Sequence, residues 1–202
     1  MTPPAPAKDP VRARLRRELW ARRAAQPRAA RRAAEQLICS YLAAAPWFRP
    51  GIAVGLYLSR DSEVDTAPLL ALARQRECRV YLPRIIDCVA HRMLLVRDSG
   101  ARRVLNRYRI AEPRGGARLP AAAFLVILMP LVGFDAAGNR LGNGAGFYDR
   151  FLANRRGRNG KPLLIGIAFE CQRLDSLAAA AHDVPLDAVI TERGLHYFKR
   201  RP

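Results

Sequence analysis

A glycine-rich stretch in the second half of the chain limits what this sequence can fold into more than any other feature. The stretch reads Arg140-Leu141-Gly142-Asn143-Gly144-Ala145-Gly146-Phe147-Tyr148-Asp149-Arg150 and follows an apolar run at residues 124–129. The apolar run predicts a buried strand, and the residues behind the glycines can turn helical. A strand that leads through glycines into a helix is a common phosphate-binding design, because free N–H groups of the first helical turn point at the anion. We call residues 140–148 the glycine loop.

The spacing of the glycines excludes two common phosphate loops. A dinucleotide-binding fingerprint needs a third glycine where Phe147 stands, and a Walker loop needs Gly-Lys followed by Ser or Thr, which this sequence lacks. Asp149, directly behind the glycines, is placed to hold Mg²⁺ against a phosphate chain, since Mg²⁺ usually takes one or two carboxylates plus phosphate oxygens. On these residues alone, a tight turn followed by a helix-capping acid is an equal alternative.

Apolar runs alternate with helical patterns along the chain. Strands are predicted at residues 52–58, 79–83, 90–96, 124–129, 163–169 and 189–190, and helices after Pro10, at residues 28–45 and after Thr66. This pattern predicts an α/β fold, a three-layer Rossmann-like sandwich with a central, mostly parallel sheet and helices on both faces. The 202 residues suit a single domain over residues 1–202, with residues 1–8 as a flexible tail that contains three prolines.

The first helix brings two arginines to one side. Asp9 and Pro10 are typical of an N-cap and a first helical position. Arg12 and Arg16 follow one turn apart, so both can reach the same anion. They lie beside an apolar stripe that consists of Val11, Leu15 and Leu19. An exposed basic face is the alternative for a helix this rich in arginine.

The charge of the chain attracts polyanions without choosing among them. The formal net charge is +18 and the isoelectric point is about 11.2, almost all of it from arginine. Nucleic acid, anionic lipid, and phosphorylated or polyglutamylated small molecules are all compatible partners, and so is a solvated surface with no specific partner.

Composition also bounds the compartment. No apolar run is long enough to cross a bilayer, and no secretory signal opens the chain. The arginine-rich N-terminus only weakly resembles an organellar transit peptide. The four cysteines show no paired spacing, which argues against a zinc site or disulfides and for a reducing compartment. We therefore expect a cytoplasmic protein without a membrane partner.

The glycine loop and its flanks, residues 130–152, resemble the signature of the 5-formyltetrahydrofolate cyclo-ligase family, also called 5,10-methenyltetrahydrofolate synthetases. The resemblance extends from about residue 12 to residue 191. It implies an ATP- and Mg²⁺-dependent ligase that converts 5-formyltetrahydrofolate to 5,10-methenyltetrahydrofolate with release of ADP and phosphate. The sequence has only three histidines and offers no credible nucleophile–base pair. That absence fits such a reaction, which is driven by positioning and charge neutralisation.

The resemblance implies a nucleotide and metal site. Arg12 and Arg16 would contact ATP, and the glycine loop would cradle the triphosphate with Arg140, Leu141, Gly142, Asn143, Gly144, Ala145, Gly146, Phe147 and Tyr148. Asp149 and Asp183 would hold Mg²⁺. Arg140, Tyr148 and Asp149 would be the catalytic residues.

The resemblance also implies a folate site, formed by Leu58, Glu63, Met93, Tyr108 and Tyr148. A carboxylate such as Glu63 suits the donor nitrogens of a pterin ring, and Tyr108 could stack on a flat ring system. The alternatives are a solvated loop glutamate, a methionine that fills the core and a tyrosine that packs its loop.

Two departures and two rival functions stay open. Ala145 replaces the expected glycine or lysine, and alanines at positions 178–181 replace a more polar stretch before Asp183. The rivals are a nucleic-acid-binding protein on this fold without ligase chemistry, and another small-molecule phosphotransferase. The aromatic residues are not interleaved with a basic face, so nucleic acid is the less favoured partner and we expect a monomer that binds small molecules.

Overall fold

The computed structural model describes residues 9–100, 103–153 and 162–199, so the tail predicted at residues 1–8 lies outside the described residues. The helices are α1 (Pro10–Ala24), α2 (Arg28–Ala44), α3 (Ala67–Gln75) and α4 (Phe147–Leu152), with short 3-10 turns at Ala121–Ala123 and Glu170–Gln172. The strands are β1 (Ala53–Gly55), β2 (Arg79–Asp87), β3 (Arg92–Arg97), β4 (Arg103–Leu105), β5 (Ala111–Pro113), β6 (Val126–Pro130), β7 (Gly133–Asp135), β8 (Arg140–Leu141), β9 (Leu163–Ile167), β10 (Arg173–Leu174), β11 (Ala188–Thr191) and β12 (Gly194–Tyr197). No helix in these ranges is long and apolar enough to cross a membrane.

The main sheet has seven strands in the order β12-β11-β9-β6-β1-β2-β3. Every pair from β11 to β2 is parallel, and both edge strands are antiparallel to their neighbours. The parallel strands are buried on both faces, as strands covered by other elements must be. The structure therefore confirms the predicted mostly parallel α/β sheet.

The two faces of the sheet carry different covers. On one face, α2 and α3 pack Ile38, Leu42 and Leu69 against the sheet. On the other face, the core is closed by Leu152 of the short α4, by Phe124 and by neighbouring loops. The sandwich thus has three layers, but among the described residues the layer on the α4 face contains little helix and consists mostly of loops.

Several predicted strands have different ends. β1 is shorter than residues 52–58, and β2 extends beyond residue 83 because it pairs with β3 as far as Asp87. The hairpin partner of β11, β12, was not predicted, since its residues His196 and Tyr197 are exposed and show no apolar run.

The glycine loop does not follow directly from the buried strand, which corrects the simple strand–loop–helix expectation. After β6 the chain forms the β7–β8 hairpin, and β8 then leads into the loop. Asp135 closes this hairpin because its Oδ1 accepts from the N–H groups of Ala137 and Asn139, both at 2.9 Å. The hairpin places the loop beyond the carboxyl end of β6, where open α/β sheets bind ligands.

Candidate active site

Helix α1 begins at the predicted position, and Arg16 from this helix contacts the glycine loop. Asp9 Oδ1 accepts from the N–H of Val11 at 2.9 Å and of Arg12 at 3.2 Å, which fixes the first turn. Arg16 Nε donates to the carbonyl oxygen of Gly142 at 2.8 Å. Val11 does not belong to the buried stripe, because it lies in the first turn and is 73% exposed, whereas Leu19 is buried.

The glycine loop needs its glycines for backbone reasons. Gly144 has φ of +103° and Gly146 has φ of +67°, conformations that side chains with a Cβ rarely adopt. The carbonyl of Ala145, between them, accepts from Arg150 Nη1 at 3.1 Å and contacts His91 Nδ1. Leu141 is fully buried in a cluster with Leu19, so its side chain supports the loop from within.

A methyl group at position 144 is expected to weaken nucleotide binding. In Gly144→Ala the φ of +103° becomes strained and the loop must shift, so we expect about a tenfold rise in the dissociation constant for ATP, in line with about 1–3 kcal/mol of backbone strain. Titration calorimetry measures this. Gly115→Ala is the matched control, since its added methyl meets nothing within 4 Å. Equal ATP affinity in the two variants would contradict the role of the loop.

The two predicted metal ligands lie side by side. Asp149 Oδ1 accepts from Arg140 Nη2 at 2.6 Å and from the N–H of Val184, the residue after Asp183, at 3.0 Å. Asp183 Oδ2 accepts from Arg12 Nη1 at 2.7 Å. Each acid is therefore paired with an arginine that sequence analysis assigned to ATP.

The alanine stretch before Asp183 does not displace it. Asp183 Oδ2 accepts from the N–H of Ala180 at 2.9 Å, and the carbonyl of Ala178 accepts from Arg12 Nη1 at 3.1 Å. Both contacts come from the backbone of this stretch, so they do not depend on which side chains it carries. The backbone holds the acid and its arginine in place.

The donor set fits Mg²⁺ bound together with phosphate. Asp149 and Asp183 offer hard carboxylate oxygens beside the glycine loop, and in the described part of the chain no group of three or more His, Cys, Asp or Glu residues could form a complete protein cage. Mg²⁺ commonly takes one or two carboxylates and fills its shell with phosphate oxygens and water. The fit is thus to a shared site and not to a closed metal centre.

A cavity of about 600 Å³ adjoins the glycine loop. Its wall contains all five residues predicted for folate, namely Leu58, Glu63, Met93, Tyr108 and Tyr148. The same wall contains the predicted loop residues Arg140, Gly142, Asn143, Ala145, Gly146 and Phe147, and the predicted metal ligand Asp149. Arg12, Arg16, Leu141, Gly144 and Asp183 are not among its described wall residues. The structure therefore brings residues of both predicted subsites to one cavity, while the two arginines of α1, two loop residues and Asp183 lie outside its wall.

Glu63 is a buried carboxylate in this wall, with 8% of its surface exposed. Its Oε2 accepts from the N–H of Arg60 at 3.0 Å, and Asn143 also hydrogen-bonds to it. Burial raises the pKa of Glu63, and the Arg60 N–H and the charge of Arg23 oppose that rise. A solvated loop glutamate is therefore the wrong interpretation of this residue.

Two tyrosine hydroxyls in the same wall lack partners. The hydroxyls of Tyr57 and Tyr148 are buried and have no hydrogen-bond partner in the described structure. Burial raises the pKa of both groups, so both are neutral donors. Buried polar atoms in native proteins are normally paired, so these hydroxyls point to a ligand or to water in the cavity. Tyr57 was not predicted, because it lies within an apolar run that gave no sign of a binding residue.

Other residues at the loop and in the cavity wall were also missed. His91 contacts the glycine loop and lies with its ring 5.5 Å from that of Phe147, yet it sits in a turn without a motif. Trp20 and Arg23 of α1 reach the cavity from a helix that sequence analysis linked only to ATP. Asn106 could have been found, because it forms an Asx-type turn in which its Oδ1 accepts from the N–H of Tyr108 at 2.9 Å.

These features define a class of protein before any comparison is made. A mostly parallel α/β sheet, a glycine loop with arginines beside it and a cavity with unpaired polar groups are features of an enzyme-like site for small, anionic molecules.

Comparison with known proteins identifies the family. Residues 8–192 match the 5-formyltetrahydrofolate cyclo-ligase family. The 5-formyltetrahydrofolate cyclo-ligase of Escherichia coli (strain K12) is 39% identical over 141 residues, which cover 68% of this chain and 76% of the relative. That of Haemophilus influenzae is 36% identical over 138 residues, covering 66% of this chain and 72% of the relative. The chain belongs to the 5-formyltetrahydrofolate cyclo-ligase family, whose known reaction is an ATP-dependent cyclisation.

Solved structures agree with this assignment. The NMR structure of Aquifex aeolicus 5,10-methenyltetrahydrofolate synthetase superposes with a TM-score of 0.78 at 28% identity and covers 95% of both chains. The structure of a 5,10-methenyltetrahydrofolate synthetase from Mycoplasma pneumoniae superposes with a TM-score of 0.71 at 24% identity, covering 90% of this chain and 98% of that one, and supports the fold.

Proposed function

We propose that this chain cyclises 5-formyltetrahydrofolate to 5,10-methenyltetrahydrofolate with ATP and Mg²⁺, releasing ADP and phosphate. One observation carries the proposal: a single cavity of about 600 Å³ is walled both by the glycine loop and by the buried Glu63. Such an arrangement holds a phosphate donor and a ring-shaped acceptor next to each other, which is the main requirement of phosphoryl transfer.

The chemistry needs few side chains. The formyl oxygen of the folate attacks the γ-phosphate of ATP and ADP leaves. Nitrogen N10 then attacks the activated formyl carbon, loses its proton, and phosphate departs with the formyl oxygen. The glycine loop orients the triphosphate, while Arg12, Arg16 and Arg140 neutralise the charge that develops during transfer. Asp149 and Asp183 would hold Mg²⁺, which when bound neutralises phosphate charge.

The paired acids and arginines prepare the phosphate site. Arg140 balances Asp149 and Arg12 balances Asp183, so each of these buried or partly buried charges has a counter-charge within the protein. A metal ion and a phosphate chain add charges of both signs to this set. The charges of the four side chains can therefore stay balanced when the metal ion and the phosphate chain bind together.

The folate subsite combines flat surfaces with few polar groups. Leu58, Met93 and Tyr108 supply apolar and aromatic walls, and Glu63 accepts hydrogen bonds from ring nitrogens. Tyr148 lines the same wall and directly precedes Asp149 in the sequence, so its hydroxyl can border both ligands.

We also propose a monomer in the cytoplasm. Cys39, Cys78, Cys88 and Cys171 are all free thiols, which fits a reducing compartment. The net charge of +18 suits a polyglutamylated form of the folate as well as the triphosphate.

An absorbance assay tests the proposed function. Purified protein is mixed with 5-formyltetrahydrofolate, ATP and Mg²⁺, and the absorbance of the methenyl product is followed while each addition is left out in turn. Product that depends on all three additions is the expected result. Phosphate release without folate would favour another phosphotransferase, and salt-sensitive RNA binding without turnover would favour a nucleic-acid-binding protein.

A further inference from the structure

Arg23 is a buried cation that the proposed chemistry does not use. It lies near the end of α1, is 5% exposed, and forms part of the cavity wall together with Glu63. Its Nε donates to the hydroxyl oxygen of Ser62 at 2.9 Å. Arginine is almost never this buried unless it is paired, so a counter-charge must lie close by.

Glu63 supplies most of that counter-charge, and Asp61, whose side chain is 82% exposed, supplies less. The described structure contains no direct ion pair between Arg23 and Glu63, so the guanidinium acts on the carboxylate through space and through Ser62, the preceding residue. Burial lowers the pKa of Arg23 and raises the pKa of Glu63. In both cases the charge of the other residue opposes the shift, so each stabilises the ionised form of its partner.

The other groups around Glu63 do not replace Arg23. They are Arg60, Arg31, Asn143, Tyr57 and Tyr148. The side chain of Arg60 is 44% exposed and therefore screened by solvent. Arg31 Nη2 donates to the backbone carbonyl of Glu63 at 2.8 Å rather than to the carboxylate. Asn143 and the tyrosines are neutral, and Arg140, the other buried cation of the described wall, is paired with Asp149. Arg23 is therefore the buried cation whose charge acts on Glu63.

We propose that Arg23 is a positioning residue for Glu63. Its buried charge keeps the carboxylate ionised, and its hydrogen bond to Ser62 fixes the turn that presents the carboxylate to the folate ring. The role of Glu63 toward folate rests on the proposed function. Helix α1 then serves both subsites, with Arg12 and Arg16 at the glycine loop and Arg23 at the folate end.

Arg23→Met tests the proposal, because methionine keeps an unbranched apolar stem and removes the charge. We expect the dissociation constant for 5-formyltetrahydrofolate, measured without ATP by fluorescence titration, to rise about tenfold at neutral pH. The loss of binding toward acid pH should begin about one pH unit higher than in the wild type. Arg23→Lys should restore most of the affinity, and ATP affinity should stay unchanged.

The control variants separate a charge effect from simple loss of structure. Arg22→Met removes a neighbouring arginine of α1 whose contact, Nη1 to the carbonyl of Cys171 at 3.4 Å, is long and exposed, and it should bind folate normally. In a Glu63→Gln background, Arg23→Met should cause no further loss. An equal loss in both backgrounds with an unshifted pH dependence would overturn the proposal.

The carboxyl titration of Glu63, followed by NMR in ligand-free protein, separates this proposal from the proposed function. We expect Arg23→Met to raise the pKa of Glu63, because an opposing charge is removed. If the pKa of Glu63 shifts in this way but the protein shows no turnover, the positioning role of Arg23 is supported and only the proposed function is rejected. An unchanged titration in an active enzyme rejects only the role of Arg23.

Discussion

Asp149→Asn is expected to lower turnover at least about a hundredfold, because it removes a charge on which both the metal and Arg140 depend. Asparagine keeps the shape and an oxygen that can accept from the N–H of Val184, a bond of 3.0 Å in the wild type. Turnover and the Mg²⁺ dependence of ATP affinity are the measurements. Loss of the Mg²⁺ dependence identifies the metal role, and Asp183→Asn should show the same loss.

The same substitution also has a structural cost. The side chain of Arg140 is 4% exposed, so removing its counter-charge leaves a buried cation poorly balanced. Complete loss of a buried partner typically costs roughly 3–5 kcal/mol, and asparagine should cost less because it still accepts a hydrogen bond. Thermal unfolding of the ligand-free protein measures this term, with the exposed Asp175→Asn as control. A folded Asp149→Asn protein that keeps Mg²⁺-stimulated turnover would contradict the metal assignment.

Glu63→Gln is expected to weaken binding of 5-formyltetrahydrofolate about a hundredfold. A loss of this size is typical when one partner of a buried, charged hydrogen-bond pair is removed. Glutamine has the same size but offers one acceptor oxygen and an N–H₂ group that opposes the ring donors. Equilibrium titration with folate measures the effect. ATP affinity serves as the internal control and should be unchanged. Folate affinity equal to that of the wild type would remove Glu63 from the site.

The same variant should be more stable than the wild type at neutral pH. Because burial raises the pKa of Glu63, the folded protein holds this proton more tightly than the unfolded chain does. The stability contributed by Glu63 is therefore complete below its ordinary pKa and is lost as pH rises through the folded value. Thermal unfolding at about pH 4 and about pH 8 should show the advantage of Glu63→Gln only at the higher pH. Glu77→Gln, at an exposed position, should show no such difference.

Local signals predicted the start of α1 and the glycines of the loop. The Asp9 cap and the spacing of Arg12 and Arg16 specify a helix with two arginines on one side. The structure places Arg12 against Asp183 and Arg16 against the glycine loop. Glycine is the residue type that adopts positive φ most readily, so the sequence alone indicates that Gly144 and Gly146 form a loop. The structure gives both residues positive φ.

The other contacts depend on tertiary packing. Tyr57 belongs to an apolar run, Arg23 is one of many arginines, and His91 lies in an unremarkable turn. Each reaches the cavity or the loop only because distant elements meet there. The β7–β8 hairpin escaped prediction for a related reason, since its strands are too short to show alternation.

The fate of the formyl oxygen tests the central claim most directly. The substrate carries ¹⁸O in its formyl group, and the phosphate released during turnover is analysed by mass spectrometry. If the glycine loop and the cavity hold ATP against the folate as described, the formyl oxygen bonds to the γ-phosphorus and the released phosphate contains ¹⁸O. Unlabelled phosphate would show that water and not the folate attacked ATP, and would contradict the account.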